Sequence, residues 1–166
     1  NDAVRIDAKP EDSTQVARLI ADYASDKGYD IILCGKETID HNSAAVGAMI
    51  AECLDMPYVP FATSLNAEGG TYNLTCETAG GTNKVVVNES FVLSAAKGMS
   101  EQRIPNMRGI MSARTKPLQV VESSGVSSAA NVEKFALPPA KGDCVMVDAD
   151  NPAELVRLLR EEAKII

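Results

Sequence analysis

A short apolar, β-branched run at residues 29–34 (YDIILC), closed by Gly35, most constrains how this chain can fold. It follows a helical pattern in which Val16, Leu19, Ile20 and Tyr23 recur at three- and four-residue spacing, with Ser13 or Thr14 able to cap the start and Gly28 near the stop. Such a run suits a strand buried on both faces of a parallel sheet, and a helix feeding it is the grammar of an α/β fold. After the polar loop GKETIDHN, residues 43–54 place Val46, Met49, Ile50, Cys53 and Leu54 on one helical face. Ala44, Ala45, Gly47, Ala48 and Ala51 keep the remainder slim, which predicts a helix that approaches its neighbours closely.

From Pro60 the hydrophobic period changes to two. Residues 61–65, 72–77 and 82–87 read as strands, with turn clusters at 66–70 and 79–81, and together predict an antiparallel meander. Residues 91–95 predict a further buried strand, 107–113 a short amphipathic helix and 118–121 another strand. Leu137, Pro138 and Pro139 then force an extended arm that cannot join the centre of a sheet. Asn151, Pro152 and Glu154 supply the cap, first-turn proline and capping acid of a last helix striped by Leu155, Leu158, Leu159 and Ala163. The organisation expected is an α/β domain over 1–122 and an extended arm plus helix over 123–166.

With 166 residues, 45% of them hydrophobic, the chain can bury roughly 70% of the surface its unfolded form exposes and needs no disulfide or metal staple. Sixteen Lys and Arg against 23 Asp and Glu leave a net charge of -7, which disfavours nucleic acid and anionic membranes as partners. Cys34, Cys53, Cys76 and Cys144 lack the close spacing of zinc sites and redox dithiols, and read as reduced, buried thiols of a cytoplasmic protein. No run of about 18 apolar residues exists and the first residues are acidic, so neither direct membrane insertion nor a secretion signal is expected.

The strongest local signal for function is a strand, Gly35, a polar loop and a helix predicted to begin near Asn42 or Ser43. Unpaired N–H groups at such a helix start bind phosphate, and ligands of open α/β sheets collect beyond the carboxyl ends of strands. Glu37 and Asp40 oppose an anion unless Asp40 faces away, and neither a GxGxxG nor a GxxxxGKS pattern is present. A phosphate site and a plainly capped helix both remain open on these residues. The second signal is the basic island at 97–116, with five basic residues and Glu101 as its only acid. Met107, Ile110 and Met111 make one apolar turn there, suited either to docking an acidic partner or to seating on the chain's own core. The lone His41 beside Asp40 and Ser43 reads as loop chemistry rather than a catalytic triad, and no metal-ligand spacing is visible.

Residues 35–59, GKETIDHNSAAVGAMIAECLDMPYV, resemble the beta subunits of electron transfer flavoproteins, which carry a similar Gly-basic-x-x-Ile-Asp loop, a small-residue helix and Leu-x-x-Pro. RIPNMRGIMSARTKPLQVVE at 103–122 resembles that family's recognition loop, and LPPAKG at 137–142 with NPAELVRLLREEAKII at 151–166 resembles its C-terminal arm and helix. The resemblance implies a Rossmann-like parallel-sheet domain of the adenine nucleotide alpha hydrolase type. It also implies a heterodimer with an alpha subunit that shares FAD, acting as an electron carrier without an active site of its own. Electrons would pass from acyl-CoA or other dehydrogenases to a quinone-linked acceptor.

By the same resemblance, Gly35, Lys36, Asp40, His41, Asn42, Ser43, Ala44, Ala45 and Val46 hold AMP, or a second FAD in electron-bifurcating members. Arg103, Ile104, Pro105, Met107, Arg108, Ile110 and Met111 dock partner proteins, with Met107 as the anchor. Family members often carry polar side chains near positions 44–46, so phosphate contact here would rest on backbone amides and Ser43. The resemblance further implies a fragment lacking the family's N-terminal segment, which contains the first strand and a loop over the adenine. The alternative from another class is an ATP-binding regulatory domain of the universal-stress-protein type, in which the basic loop and the tail have no role. A purely structural interaction module is a third.

Overall fold

The computed structural model describes residues 2–166. Within the compact unit Asn1–Asn131 the elements run β1 (Ala3–Asp7), α1 (Ser13–Ala24), β2 (Ile31–Gly35), α2 (Val46–Leu54), β3 (Tyr58–Glu68), β4 (Thr71–Thr78), β5 (Gly81–Val87), β6 (Phe91–Ala95), α3 (Met107–Ala113) and β7 (Leu118–Glu122). Helices and strands alternate at first and a meander follows, so the chain is an α/β protein. A five-stranded sheet has the order β2-β6-β3-β4-β5, and β1 pairs with β7 in a separate parallel pair. β6 is parallel to both β2 and β3, whereas β3, β4 and β5 form the antiparallel meander.

The sheet's pleat divides the core. Phe91 and Leu93 of β6 face a cluster with Val59, Ala62, Leu74, Cys76 and Val87, and the Tyr72 ring lies tilted against Phe91 at 5.2 Å. Val92 points to the opposite face and joins Ala17 of α1 with Ile50 and Ala51 of α2. Phe91, Val92, Leu93 and Ile50 are fully buried, and each such side chain contributes about 1.5–3 kcal/mol. The doubly buried strand is therefore β6. The run at 29–34, expected to be buried on both faces, forms β2 at the edge of this sheet, with Leu33 62% exposed. Composition marked the strand; its neighbours decided its burial.

Local chemistry sets the joints. Asp12, not Ser13 or Thr14, caps α1, its carboxylate accepting the Gln15 N–H at 2.7 Å. Between β3 and β4 the two-residue turn Gly69 and Gly70 takes φ of 58° and 85°, the left-handed pair that matches strand twist and that glycine adopts without strain. Gly47 allows the close approach expected of α2, since a Cβ there would meet the Tyr58 ring at 3.1 Å and the Cys34 Cβ at 3.5 Å. β1 was not foreseen in the sequence, because its alternation is only five residues long.

The unit Val132–Ile166 contains α4 (Pro152–Arg157), continued by a π-helical turn over Leu158–Glu162. Asn151 caps it and Arg157 pairs with Glu154 at 2.8 Å, Glu161 at 3.1 Å and Glu162 at 3.5 Å. No residue of α4 is buried. No helix among the described residues is long and apolar enough to cross a membrane.

Candidate functional site

β2 ends at Gly35, whose partner across the sheet is Ala95, and the chain then leaves the sheet. The Asn42 N–H donates to the Thr38 carbonyl at 2.9 Å, closing a turn. The Asp40 carboxylate accepts the His41 N–H at 2.9 Å. The Thr38 hydroxyl foremost, and then that N–H, hold the Asp40 carboxyl below the ordinary carboxylate range. His41 Nε2 stands 3.9 Å from Asp40, and both side chains face solvent. Lys36 Nζ lies 3.8 Å from Glu37 and 5.3 Å from the centre of the Phe61 ring. The two loop acids that oppose an anion are thus each occupied by a neighbour.

Asn42 and Ala44 both adopt φ of 49°. Two left-handed residues cannot continue into a right-handed helix, so α2 begins at Val46 rather than near Asn42 or Ser43, as its sequence suggested. Ala45 is the cap residue and offers no side-chain bond, and the first intrahelical bond runs from the Met49 N–H to the Ala45 carbonyl at 3.0 Å. The N–H groups of the turn before it have no acceptor within the helix. Ser43 lies ahead of the helix and places its Oγ 3.3 Å from that of Ser13.

A cavity of about 370 Å³ opens between the carboxyl end of β2 and this uncapped helix start. Gly35, Lys36, Ser43, Ala44, Ala45 and Val46 line it, whereas Asp40, His41 and Asn42 stand outside its lining on the exposed turn. Val16 and Ile20 of α1, with Leu33, Cys34, Glu37, Thr38, Gly47 and Ile50, complete the walls and were not anticipated as site residues. Their signal was present, since Val16 and Ile20 are four apart on one helical face, but that spacing also describes core. Burial pushes the Cys34 thiol up. The cavity falls in the size range of small-molecule sites. A second cavity, of about 310 Å³, lies against α1, β1 and β7, where Asp22, Asp26 and Glu122 outnumber Lys27 and would repel an anion.

The basic segment takes a different form. Asn106 caps α3 by accepting the Gly109 N–H at 2.8 Å, yet α3 buries nothing. Arg103, Ile104, Pro105, Met107, Arg108, Ile110 and Met111 are all exposed, Met107 by 72%. The helix is not seated on the chain's own core. Cys53 and Cys144 are also exposed, against the expectation of buried thiols, and all four cysteines are free. Among the described residues no group of three or more His, Cys, Asp and Glu side chains could hold a metal ion.

The chain is an α/β protein whose candidate site is a cavity between the end of a parallel strand and an uncapped helix start. Residues 4–125 match the family model described as the electron transfer flavoprotein domain, and the chain belongs to the electron transfer flavoprotein family. It is 34% identical over 152 residues to the electron transfer flavoprotein subunit beta of Syntrophomonas wolfei, an alignment covering 90% of this chain and 60% of that protein. The Bacillus subtilis subunit beta is 30% identical over 171 residues, covering 96% and 66%. That of Sus scrofa is 30% identical over 155 residues, covering 91% and 60%. The chain thus spans about 60 to 66% of the length of these relatives. The universal-stress-type alternative gains nothing from these matches.

Proposed function

We propose that this chain serves as a beta-type subunit of a two-subunit electron carrier, with no active site of its own, in the cytoplasm. In this function it holds AMP, or a second FAD, in the cavity at the end of β2 and pairs with an alpha subunit that shares FAD. Residues 103–116 dock acyl-CoA or other dehydrogenases, and electrons leave for a quinone-linked acceptor. Residues 1–122 act as the Rossmann-like nucleotide-binding domain, and 123–166 as the arm and helix that associate with the alpha subunit.

One observation carries the nucleotide assignment: in a chain of this family, a cavity of about 370 Å³ sits at the uncapped N-terminus of α2. The fit to a phosphorylated ligand is chemical. Free first-turn amides and the helix dipole favour an anion, Lys36 on the wall offsets the neighbouring Glu37 carboxylate, and the Ser43 hydroxyl also lies on the wall. Asp40, His41 and Asn42 shape the turn from outside. FAD, where bound, supplies the electron chemistry, and the residues of this chain hold and orient it. For the docking surface, the supporting feature is the exposed Met107, Ile110 and Met111 in a segment that also exposes Arg103, Arg108 and Arg114, which suits an acidic partner with an apolar pocket.

The test is the nucleotide content of the chain co-purified with its alpha subunit, by acid release and chromatography. One FAD with one AMP fits a simple carrier, and two FAD fit a bifurcating one. A complex with one FAD and neither AMP nor a second FAD would overturn the assignment.

A further inference from the structure

Phe61 is a bulky residue at φ of 52°, a left-handed conformation that costs a side chain of this kind strain. It sits where β3 changes partners. Tyr58 and Val59 pair in parallel with Val92 and Leu93, and from Ala62 the strand pairs antiparallel with Cys76, with register shifts on both sides of Ala62. The Phe61 N–H donates to the Ser94 hydroxyl at 2.9 Å, and Ser94 is 1% exposed, so the irregularity is anchored in the core. Bulges of this type re-aim a side chain.

Here the ring meets Lys36, which borders the candidate site. Gly35 and Ala62 both pair with Ala95, so Lys36 and Phe61 emerge at the same end of the sheet, one beyond Gly35 and one before Ala62. The Lys36 ammonium rests 5.3 Å from the Phe61 ring centre, and Lys36 borders the cavity. An aromatic face attracts a cation and limits the freedom of a long, flexible side chain whose other charged neighbour is the Glu37 carboxylate at 3.8 Å.

We propose that Phe61 is a positioning residue that holds the Lys36 ammonium beside the cavity and thereby sets the preference for a phosphorylated nucleotide over its nucleoside. This rests on the nucleotide-binding function proposed above. The test is calorimetric titration of the full 166-residue chain with AMP and with adenosine. Phe61→Leu should weaken AMP binding about 2–5-fold and leave adenosine unchanged, and Phe61→Tyr should restore the wild-type preference. In a Lys36→Gln background, where the exposed substitution leaves folding intact, Phe61→Leu should have no further effect. Equal weakening of both ligands, or an unchanged preference in Phe61→Leu, would overturn the positioning role while leaving the nucleotide site standing. A wild-type chain that binds neither ligand would overturn the site, and this proposal with it.

Discussion

The Asp12 carboxylate accepts the backbone N–H of Ala130 at 2.8 Å, joining the cap of α1 to a segment 118 residues later. Its other oxygen accepts the Gln15 N–H at 2.7 Å, and the Gln15 side chain in turn donates to the Val126 carbonyl at 3.1 Å. One carboxylate therefore both starts a helix and ties down the chain beyond β7. Asp12→Ala should lower Tm by about 2–4 °C or more and raise amide exchange at residues 126–130. The Gln15 N–H first, then the Ala130 N–H, hold the Asp12 carboxyl below its ordinary value of 3.8. Its contribution is therefore fully present above that value and is lost as pH falls through the lower folded value. Wild type and Asp12→Ala should differ in Tm at pH 7 and converge in strong acid; a constant difference down to pH 2 would contradict this linkage.

Gly47 tests the close approach of α2 to the sheet. Alanine there gains about 1 kcal/mol of helix propensity but drives a methyl to 3.1 Å from the Tyr58 ring, and such overpacking costs about 1–3 kcal/mol. Gly47→Ala should therefore lose stability in denaturant titration, and Tyr58→Leu should recover part of the loss. A gain of about 1 kcal/mol in Gly47→Ala would show that the ring moves freely.

Ala45 separates folding from binding. An aspartate at this cap position offers its carboxylate to the free amides of α2 and places negative charge where a phosphate would sit. Ala45→Asp should keep or raise Tm while weakening AMP at least about 10-fold. Unchanged AMP affinity would move the phosphate elsewhere.

Met107 is 72% exposed on a helix that buries nothing, so its removal should leave Tm unchanged. If it anchors a partner, Met107→Ala should cost about 1 kcal/mol or more of docking energy, seen as at least a 5-fold weaker dehydrogenase interaction in stopped-flow electron transfer. Because the surrounding charges are positive, that interaction should also weaken with salt. Equal kinetics for wild type and variant would remove Met107 from the docking surface.

Much of this fold was legible from neighbouring residues. Glycine pairs placed the hairpins, Asn151 marked a helix start that the structure keeps, and period-two patterns located β3, β4 and β5. Each of these depends on a few consecutive side chains and their own backbone. The loop and slim helix of the candidate site were visible for the same reason, as was the short helix α3, whose exposure the residues alone left open.

Other properties are relations between segments distant along the chain. Whether an apolar run is central or at an edge depends on which strands flank it, so β6 lies buried on both faces and Leu33 of β2 stays exposed. Asp12 displaced the hydroxyl caps because two backbone amides from 129 and 130 also converge on it. The left-handed turns at Asn42 and Ala44 delayed α2 until Val46, and the α1 side chains closed the cavity's wall. Local patterning carries periodicity, turns and caps because those energies act over a few bonds. Burial, strand order and cavity walls arise only when remote surfaces exclude water together, and those the tertiary structure decided.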